Sequence, residues 1–468
     1  MTTDAADHDV DTDRLLPAEP VTRLADHLAQ GGGAGLERAL AMTPDEVVAE
    51  VADAGLRGRG GAGFPTGRKW ASVRETVAAL GGAPTLVANG AEGEPGTYKD
   101  RVLLEQQPYA FLEGVCIALH ATGAERAHVA TKAKFTRPVE RLTAALEEIR
   151  AAGWPGADRI EVTLGPDSYL FGEETGMLEV IEGNLPLPRT VRPYEEGLHR
   201  TPTHPNPTVV NNVETLSHVG HILREGADWF RQAGTTSSPG TMLFTVVGDV
   251  ANPGVYELAL GTPLRTLLVD IAGADDVKAV YSGVSNTVLT ADQLDVALGF
   301  DELREIGSGM GSGGFIVYDS TRHIADVLAV LLNFLAVESC GQCNPCKLGN
   351  TEMAEILASV QRGEATPADL ERLLRRSHTV TDDNRCFLPV GSQLVVASTV
   401  SAFVDELVAT VERGEPTPAD LPTPLIEHID ERTGTVTYHG RYHLKQLDWS
   451  YADQDPAEQR LAALRTER

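Results

Sequence analysis

Residues 85–131 read TLVANGAEGEPGTYKDRVLLEQQPYAFLEGVCIALHATGAERAHVAT, and this stretch decides the fold class. An apolar strand-like run (85–89, TLVAN) ends in an acidic, Gly- and Pro-rich turn. A helical apolar pattern, FLEGVCIALHATG, comes next and closes on Gly123. A second strand-like run comes at 127–131 (AHVAT) and a third at 159–164 (RIEVTL). Strands separated by helices predict an α/β layer with a largely parallel sheet. Upstream, TPDEVVAEVADAG reads as a helix that Thr43 or Asp45 can cap, and a Gly-rich loop runs from Gly55 to Gly67. Downstream, the Pro-rich residues 184–208 read as an extended segment leading into VVNNVETL.

The composition shifts near 235, at TTSSPGT. Residues 241–318 show short strands and turns: TMLFTVVG, ANPG, VYEL, a helix at 262–272, then GGFIVY. This predicts a small α+β module over 236–322. The period is helical from His323 to Val337, and the chain then meets its cysteines. Several helices run on to 415, one starting at Thr366-Pro367. Residues 1–20 read as a disordered acidic tail. Residues 416–468 read as a polar extension, with one hairpin around ERTGTVTYHGRYH. No internal repeat is visible.

At 468 residues the chain is long enough for two to four domains and a large core. Its 39 Lys and Arg face 67 Asp and Glu, a formal charge of -28. That argues against nucleic acid or an anionic membrane as the main partner. No apolar run reaches the ~20 residues of a membrane span. The N-terminal residues lack the basic and apolar parts of a secretory signal. These features predict a cytoplasmic protein.

Cys340-x-x-Cys343-x-x-Cys346 is the strongest chemical signal, with Cys386 far downstream. Three closely spaced thiolates can wrap one face of a cubane, and a distant fourth closes it, which suits a [4Fe–4S] cluster. Structural zinc also takes four cysteines, though more often as two separated CxxC pairs. Cys116, inside an apolar helical run, reads as a buried core thiol. The second signal is GRGGAGFPTG, 58–67. It formally contains GxGxxG, but a helix precedes it and Pro65 interrupts the chain after it, so it is not the plain dinucleotide fingerprint. Its glycines still allow backbone N–H groups close to a flat or phosphorylated ligand, with Arg59 and Lys69 as cations. Two acidic clusters, Asn89-x-x-Glu92-Gly93-Glu94 and Tyr169-x-x-Gly172-Glu173-Glu174, lie just after strand-like runs, where α/β proteins bind ligands. Each also reads as an ordinary solvated acidic loop. Asn211 and Asn212 offer amides, or simply cap a helix.

In this order the pieces resemble the flavin- and NADH-binding 51-kDa-type subunit of respiratory complex I, a family shared with diaphorase subunits of hydrogenases and formate dehydrogenases. The motifs are GRGGAGFPTGRKW (58–70), NGAEGEPGTYKDR (89–101), YLFGEETGMLEVIEG (169–183), PTVVNNVETL (207–216), GSGMGSGGFIVYD (307–319) and ESCGQCNPC (338–346). The resemblance covers roughly residues 45–410. It implies a Rossmann-like FMN domain (21–235), a β-grasp module (236–322) and a helical bundle (323–415) carrying the cluster on Cys340, Cys343, Cys346 and Cys386. By the same resemblance Gly58, Arg59, Gly60, Gly61, Lys69, Asn89, Glu92, Tyr169, Gly172, Glu173, Asn211 and Asn212 line FMN. Phe64, Glu94 and Glu174 face NADH, with the two carboxylates in the catalytic site. Arg192 and Tyr194 match a nucleotide-contacting segment.

The implied activity is NADH dehydrogenase: hydride from NADH to FMN, then single electrons to the cluster. A relay or scaffold subunit that does not oxidise NADH is the alternative. With no second cysteine set in the chain, the resemblance implies a separate small [2Fe–2S] partner and further electron-transfer subunits, through which it sits at the inner face of the cell membrane. Three departures stand out. Ala91 replaces the usual Asp before the first acidic-loop Glu, Ser72 replaces an aromatic, and Thr131-Lys132-Ala133-Lys134 replaces the usual Arg-Gly-Glu strand ending.

Overall fold

A computed structural model describes residues 14–430 and 432–453. Its first layer is a four-stranded sheet of β1 (Thr85–Gly90), β2 (Arg126–Lys132), β3 (Ile160–Gly165) and β4 (Thr208–Asn212), in the order β3-β2-β1-β4. Every pairing is parallel. The chain thus steps from β1 through β2 to β3 in one direction and returns to lay β4 on the other side of β1. That reversal opens a crevice beyond the C-terminal ends of β1 and β4, where open α/β sheets bind ligands.

Helix Pro108–Thr122 is buried along nearly its whole length, Cys116 included, as its apolar run requires. It crosses Val213–Glu225 so closely that a Cβ on Gly114 would fall 1.9 Å from the Leu216 carbonyl. Thr43 caps helix Pro44–Asp53 in a reciprocal box with Glu46, one of the two capping residues the sequence offers.

A second sheet is made of β5 (Thr241–Gly248), β6 (Gly254–Ala259), β7 (Val277–Ser282) and β8 (Gly314–Asp319), ordered β6-β5-β8-β7. Its central pair, β5 and β8, is parallel and the flanking pairs are antiparallel. Two details depart from the sequence reading. β7 has no counterpart there, and the helix expected at 262–272 contracts to a π-helical turn, Thr266–Ile271. Helices Ile324–Glu338, Asn344–Gln361, Pro367–Thr379, Leu388–Ala402 and Val404–Arg413 pack as a bundle sharing an apolar core with β7 and β8. Thr366 caps its helix with Asp369, as the Thr-Pro signal predicts.

Both terminal segments depart from expectation where the structure describes them. Residues 1–13 lie outside the described part, but Leu15 is buried, and Leu15 N and Leu16 N donate to Glu257 on β6. The polar extension does form the expected hairpin, β9 (Ile426–Asp430) with β10 (Thr435–Tyr438). It is not a solvated tail, however: Ile426, Ile429, Tyr442 and Lys445 are buried against the body of the protein. Residues 454–468 lie outside the described part.

Candidate functional site

Four thiols share one cavity. The apolar helix Ile324–Glu338 ends at Ser339, and Gly341 turns the chain in the left-handed region (φ 82°). Cys343 caps the next helix, Pro345 occupies its first turn and Cys346 comes after it. Cys386 comes from the loop entering Leu388–Ala402. All four cysteines line one cavity, walled by Leu170, Pro188, Arg385 and Pro389, and none is in a disulfide. Among the described residues no three His, Cys, Asp or Glu side chains converge as one bare ion needs.

Two helix N-termini, at Cys343 and Phe387, open at this cavity, and their partial positive charge favours an anionic thiolate cluster. Burial pushes the Cys346 thiol up and the Cys386 thiol to about 12. Asn350 Nδ2 lies 3.5 Å from Cys346 Sγ, Ser339 Oγ 3.2 Å from it, and Gln342 Nε2 3.7 Å from Cys340 Sγ. The donor set fits the group the spacing predicts.

The second site is the crevice at the sheet ends. The Gly-rich loop lies beside β4, where a Cβ on Gly60 would meet Asn212 Cβ at 3.0 Å. A Cβ on Gly58 would meet Phe64 O at 3.5 Å and one on Gly61 the Gly311 carbonyl carbon at 4.0 Å, ordinary contact distances, and Gly58 N already donates to Phe64 O at 2.9 Å. Gly61 has φ 136°, which leaves its N–H in an orientation few other residues would adopt. Lys69 Nζ reaches the Val210 carbonyl at 3.0 Å and Glu174 Oε1 at 2.6 Å, with both side chains partly exposed. Asn89 Nδ2 donates to the Gly172 carbonyl, tying the first acidic loop to the second. A glycine-rich loop and a cation at a sheet switch point suit a phosphorylated flat ligand such as FMN.

Several sequence-selected residues have other duties here. Arg59 is a correction: its side chain is fully buried and donates to the carbonyls of Arg57, Pro239 and Thr241. Burial lowers its pKa to about 10, and the guanidinium ties the first sheet to β5 instead of reaching a ligand. Glu92 is buried against Arg101 (2.8 Å) and accepts from Asp100 N. Asn211 accepts from Trp70 Nε1. Asn212 caps Val213–Glu225 while its amide donates to Asp100. Glu173 caps Glu174–Ile181, and burial pushes its carboxyl up despite the donors from Thr175 and Gly176.

Glu94 accepts from Tyr169 OH and Val284 N, and burial raises it too. Phe64 is exposed, with the Arg68 guanidinium 5.8 Å over its ring. Pro193 O accepts from Thr208 N, which sets the exposed Tyr194 and its neighbour Arg192 beside the start of β4. They lie a strand length, roughly 13 Å at ~3.3 Å per residue, from Asn212. A compact ligand does not join the two ends; an extended dinucleotide can.

The floor of this crevice is missed by sequence reasoning. Lys99 is fully buried between Asp100 (2.8 Å) and Glu214 (2.7 Å). Burial works against its charge, but the two carboxylates outweigh it and raise its pKa. Lys99 and Asp100 stand inside the motif NGAEGEPGTYKDR, so their signal is present in the sequence but carries no assignment there.

Known proteins share this arrangement. Residues 51–221 match the Nuo51 FMN-binding domain, 243–279 the SLBB domain and 326–410 the NADH-ubiquinone oxidoreductase-F iron-sulfur binding region. The F-subunit 2 of NADH-quinone oxidoreductase from Rhizobium meliloti (strain 1021) is 37% identical over 405 residues, 83% of this chain and 94% of that protein. The chain belongs to the F-subunit family of NADH-quinone oxidoreductases. The NADP-reducing hydrogenase subunit HndC of Solidesulfovibrio fructosivorans is 36% identical, across 86% of this chain and 83% of the relative. An NAD+-reducing [NiFe]-hydrogenase crystal structure superposes with TM-score 0.74 at 35% identity, covering 86% of this chain and 68% of that one.

Within this F-subunit frame two of the departures acquire locations. Ala91 is buried in an apolar cluster with Val87, Ala130, Phe171 and Met177. Lys132 is buried at the end of β2, 3.3 Å from Asp167, which also pairs with Lys134 at 2.7 Å. Burial lowers Lys132 to about 8, because one carboxylate serves two ammonium groups.

Proposed function

We propose that this chain is the NADH-oxidising, FMN- and [4Fe–4S]-carrying subunit of a larger electron-transfer complex. The observation that carries the reading is a shared wall. Residues 169–174 face the flavin crevice through Tyr169 and Gly172, while Leu170, inside the same turn, lines the four-cysteine cavity. An FMN and a cluster held by these residues would have a single turn of chain between them, which suits electron exchange.

FMN supplies acceptance of a two-electron hydride from NADH and release of electrons one at a time, and the cluster supplies one-electron storage. The chain's residues position these groups. The backbone of the glycine loop around Gly60 and Gly61, with Lys69, would hold the anionic end of the flavin. Asn89 and Gly172 fix the gap between the two acidic loops. Phe64 offers an exposed ring for stacking, and Arg192 and Tyr194 are placed for the far end of an extended dinucleotide. Glu174 keeps a partly exposed carboxylate where the nicotinamide gains positive charge on oxidation, and so tunes the relative affinity for NADH and NAD+. Glu94, held by Tyr169 and Val284, closes the crevice toward the second sheet. Cys340, Cys343, Cys346 and Cys386 hold the cluster.

The relatives' names place them in multi-subunit assemblies, and we extend that to this chain, with a small [2Fe–2S] subunit as the next partner. Among the described residues no single helix is long and apolar enough to cross a membrane. Any membrane association then runs through partners, and we place the subunit on the cytoplasmic side.

The test is an anaerobic titration of the FMN- and cluster-loaded protein with NADH. Flavin bleaching at stoichiometric NADH is expected. No bleaching by NADH or NADPH, with dithionite still reducing the flavin, would replace this reading with a relay that does not oxidise NADH.

A further inference from the structure

The extension after residue 415 is bonded into the wall between the two redox sites. Glu338, two residues before Cys340, is 2% exposed, and both its oxygens are used. Oε2 accepts from Tyr169 N at 3.0 Å, the backbone of the shared turn. Oε1 accepts from Lys445 Nζ at 2.6 Å and from Tyr442 OH at 2.9 Å. Lys445 is itself buried, and a second bond runs from Nζ to the Asp167 carbonyl at the end of β3. Trp449 Nε1 donates to Val337 O, and the Tyr442 ring lies 5.7 Å from Phe334, which in turn packs edge-on to Tyr169 at 5.2 Å. Lys347 spends its ammonium on the carbonyls of Ala336, Ser339 and Leu447, and Lys132, within electrostatic reach of Glu338 and Lys445, pairs with Asp167.

We propose that Lys445 is a positioning residue for electron passage. Its charge balances Glu338, and through that carboxylate it fixes the Tyr169 turn against the cysteine loop and sets the potential at which the cluster accepts an electron. Loss of the ammonium takes one positive charge from beside the cysteine loop, and that disfavours electron uptake by a cluster held there. The extension is thus a working part of the redox wall. This inference rests on the flavin and cluster sites proposed above.

The test uses the full-length, FMN- and cluster-loaded chain and three variants. Cluster midpoint potentials are read by electron paramagnetic resonance in mediator titrations with dithionite, which do not require NADH oxidation. K445M should lower the potential by at least tenfold in the reduction equilibrium, about 59 mV for one electron. Y442F, which removes a neutral hydrogen bond, should leave it unshifted. An unchanged potential in K445M, or an equal shift in Y442F, overturns the proposal. Should K445M not retain its cluster, the doubly neutral E338Q/K445M chain decides: a wild-type potential supports the assignment and a displaced one defeats it. Failure of NADH to reduce wild-type flavin would sink the functional reading while leaving the potentials to judge Lys445.

Discussion

The cysteine cavity and the flavin crevice lie on two sides of one turn, yet they are built on opposite principles. Around the cavity, four thiols face one space with no disulfide between them and weak donors at 3.2–3.7 Å. Their chemistry is unspent until a ligand arrives. Around the crevice almost every polar side chain already has a protein partner: Glu92 has Arg101, Asn211 has Trp70, and Lys99 has Asp100 and Glu214. What the crevice offers besides is the backbone of its glycine loop, with Gly61 at φ 136°, and a partly exposed pair, Lys69 with Glu174. Soft-metal binding needs the side chains themselves. Flavin binding needs a rigid, precharged frame whose surface is largely peptide.

That contrast is breakable. The largest effect should come from Cys386→Ser, which removes one of four unspent groups. Iron content and the cluster resonance signal should collapse while bound FMN stays constant. A retained, unaltered signal would show that the distant thiol is not a ligand.

Next is Arg59→Met, which tests whether this arginine belongs to the frame. The change leaves the buried carbonyls of Pro239 and Thr241 without donors, at roughly 1–3 kcal/mol each. Denaturant unfolding should shift accordingly. A normal midpoint combined with lost FMN affinity would return Arg59 to the ligand side.

The frame should also be acid-sensitive. Burial holds His221 neutral, with its pKa lowered from 6.5 to about 4. The unfolded chain therefore binds more protons between these values, so stability is lost as pH falls from about 6.5 toward 4. One such group contributes at most about 3 kcal/mol, at about 1.36 kcal/mol per unit. His221→Leu should flatten that part of the pH–stability curve, measured by thermal unfolding at each pH; an identical slope would assign the effect elsewhere.

Smallest should be the effect of Glu174→Gln. It alters a partly exposed pair, so about 1 kcal/mol, within tenfold in nucleotide affinity, is expected. FMN content should not change. Equal affinities for NADH and NAD+ before and after substitution would remove Glu174 from the nucleotide site.

The same contrast explains what can be read from the sequence. Cysteine spacing carries its own geometry, so Cys340, Cys343, Cys346 and Cys386 can be grouped without coordinates, and the structure gathers them. Local signals also transfer, as at the Thr43 and Thr366 caps and the strand runs 85–89, 127–131 and 159–164. Arg59 escapes such a reading because its partners, Pro239 and Thr241, lie 180 and 182 positions away, and nothing near a glycine loop announces them. The extension escapes it for a related reason. Polar composition suggests solvent exposure, but Lys445 and Tyr442 are buried by meeting Glu338, a pairing invisible until the fold brings them together.

The clasp formed by the extension also has a consequence in time. Gly96, in the first acidic loop, donates its N–H to the carbonyl of Pro424, and Arg101 donates to the carbonyl of Ile426. During synthesis these early groups wait for about 330 further residues. At roughly 5–20 residues per second that interval is on the order of tens of seconds. For that period the nascent chain can complete its parallel sheet but not seal its redox wall.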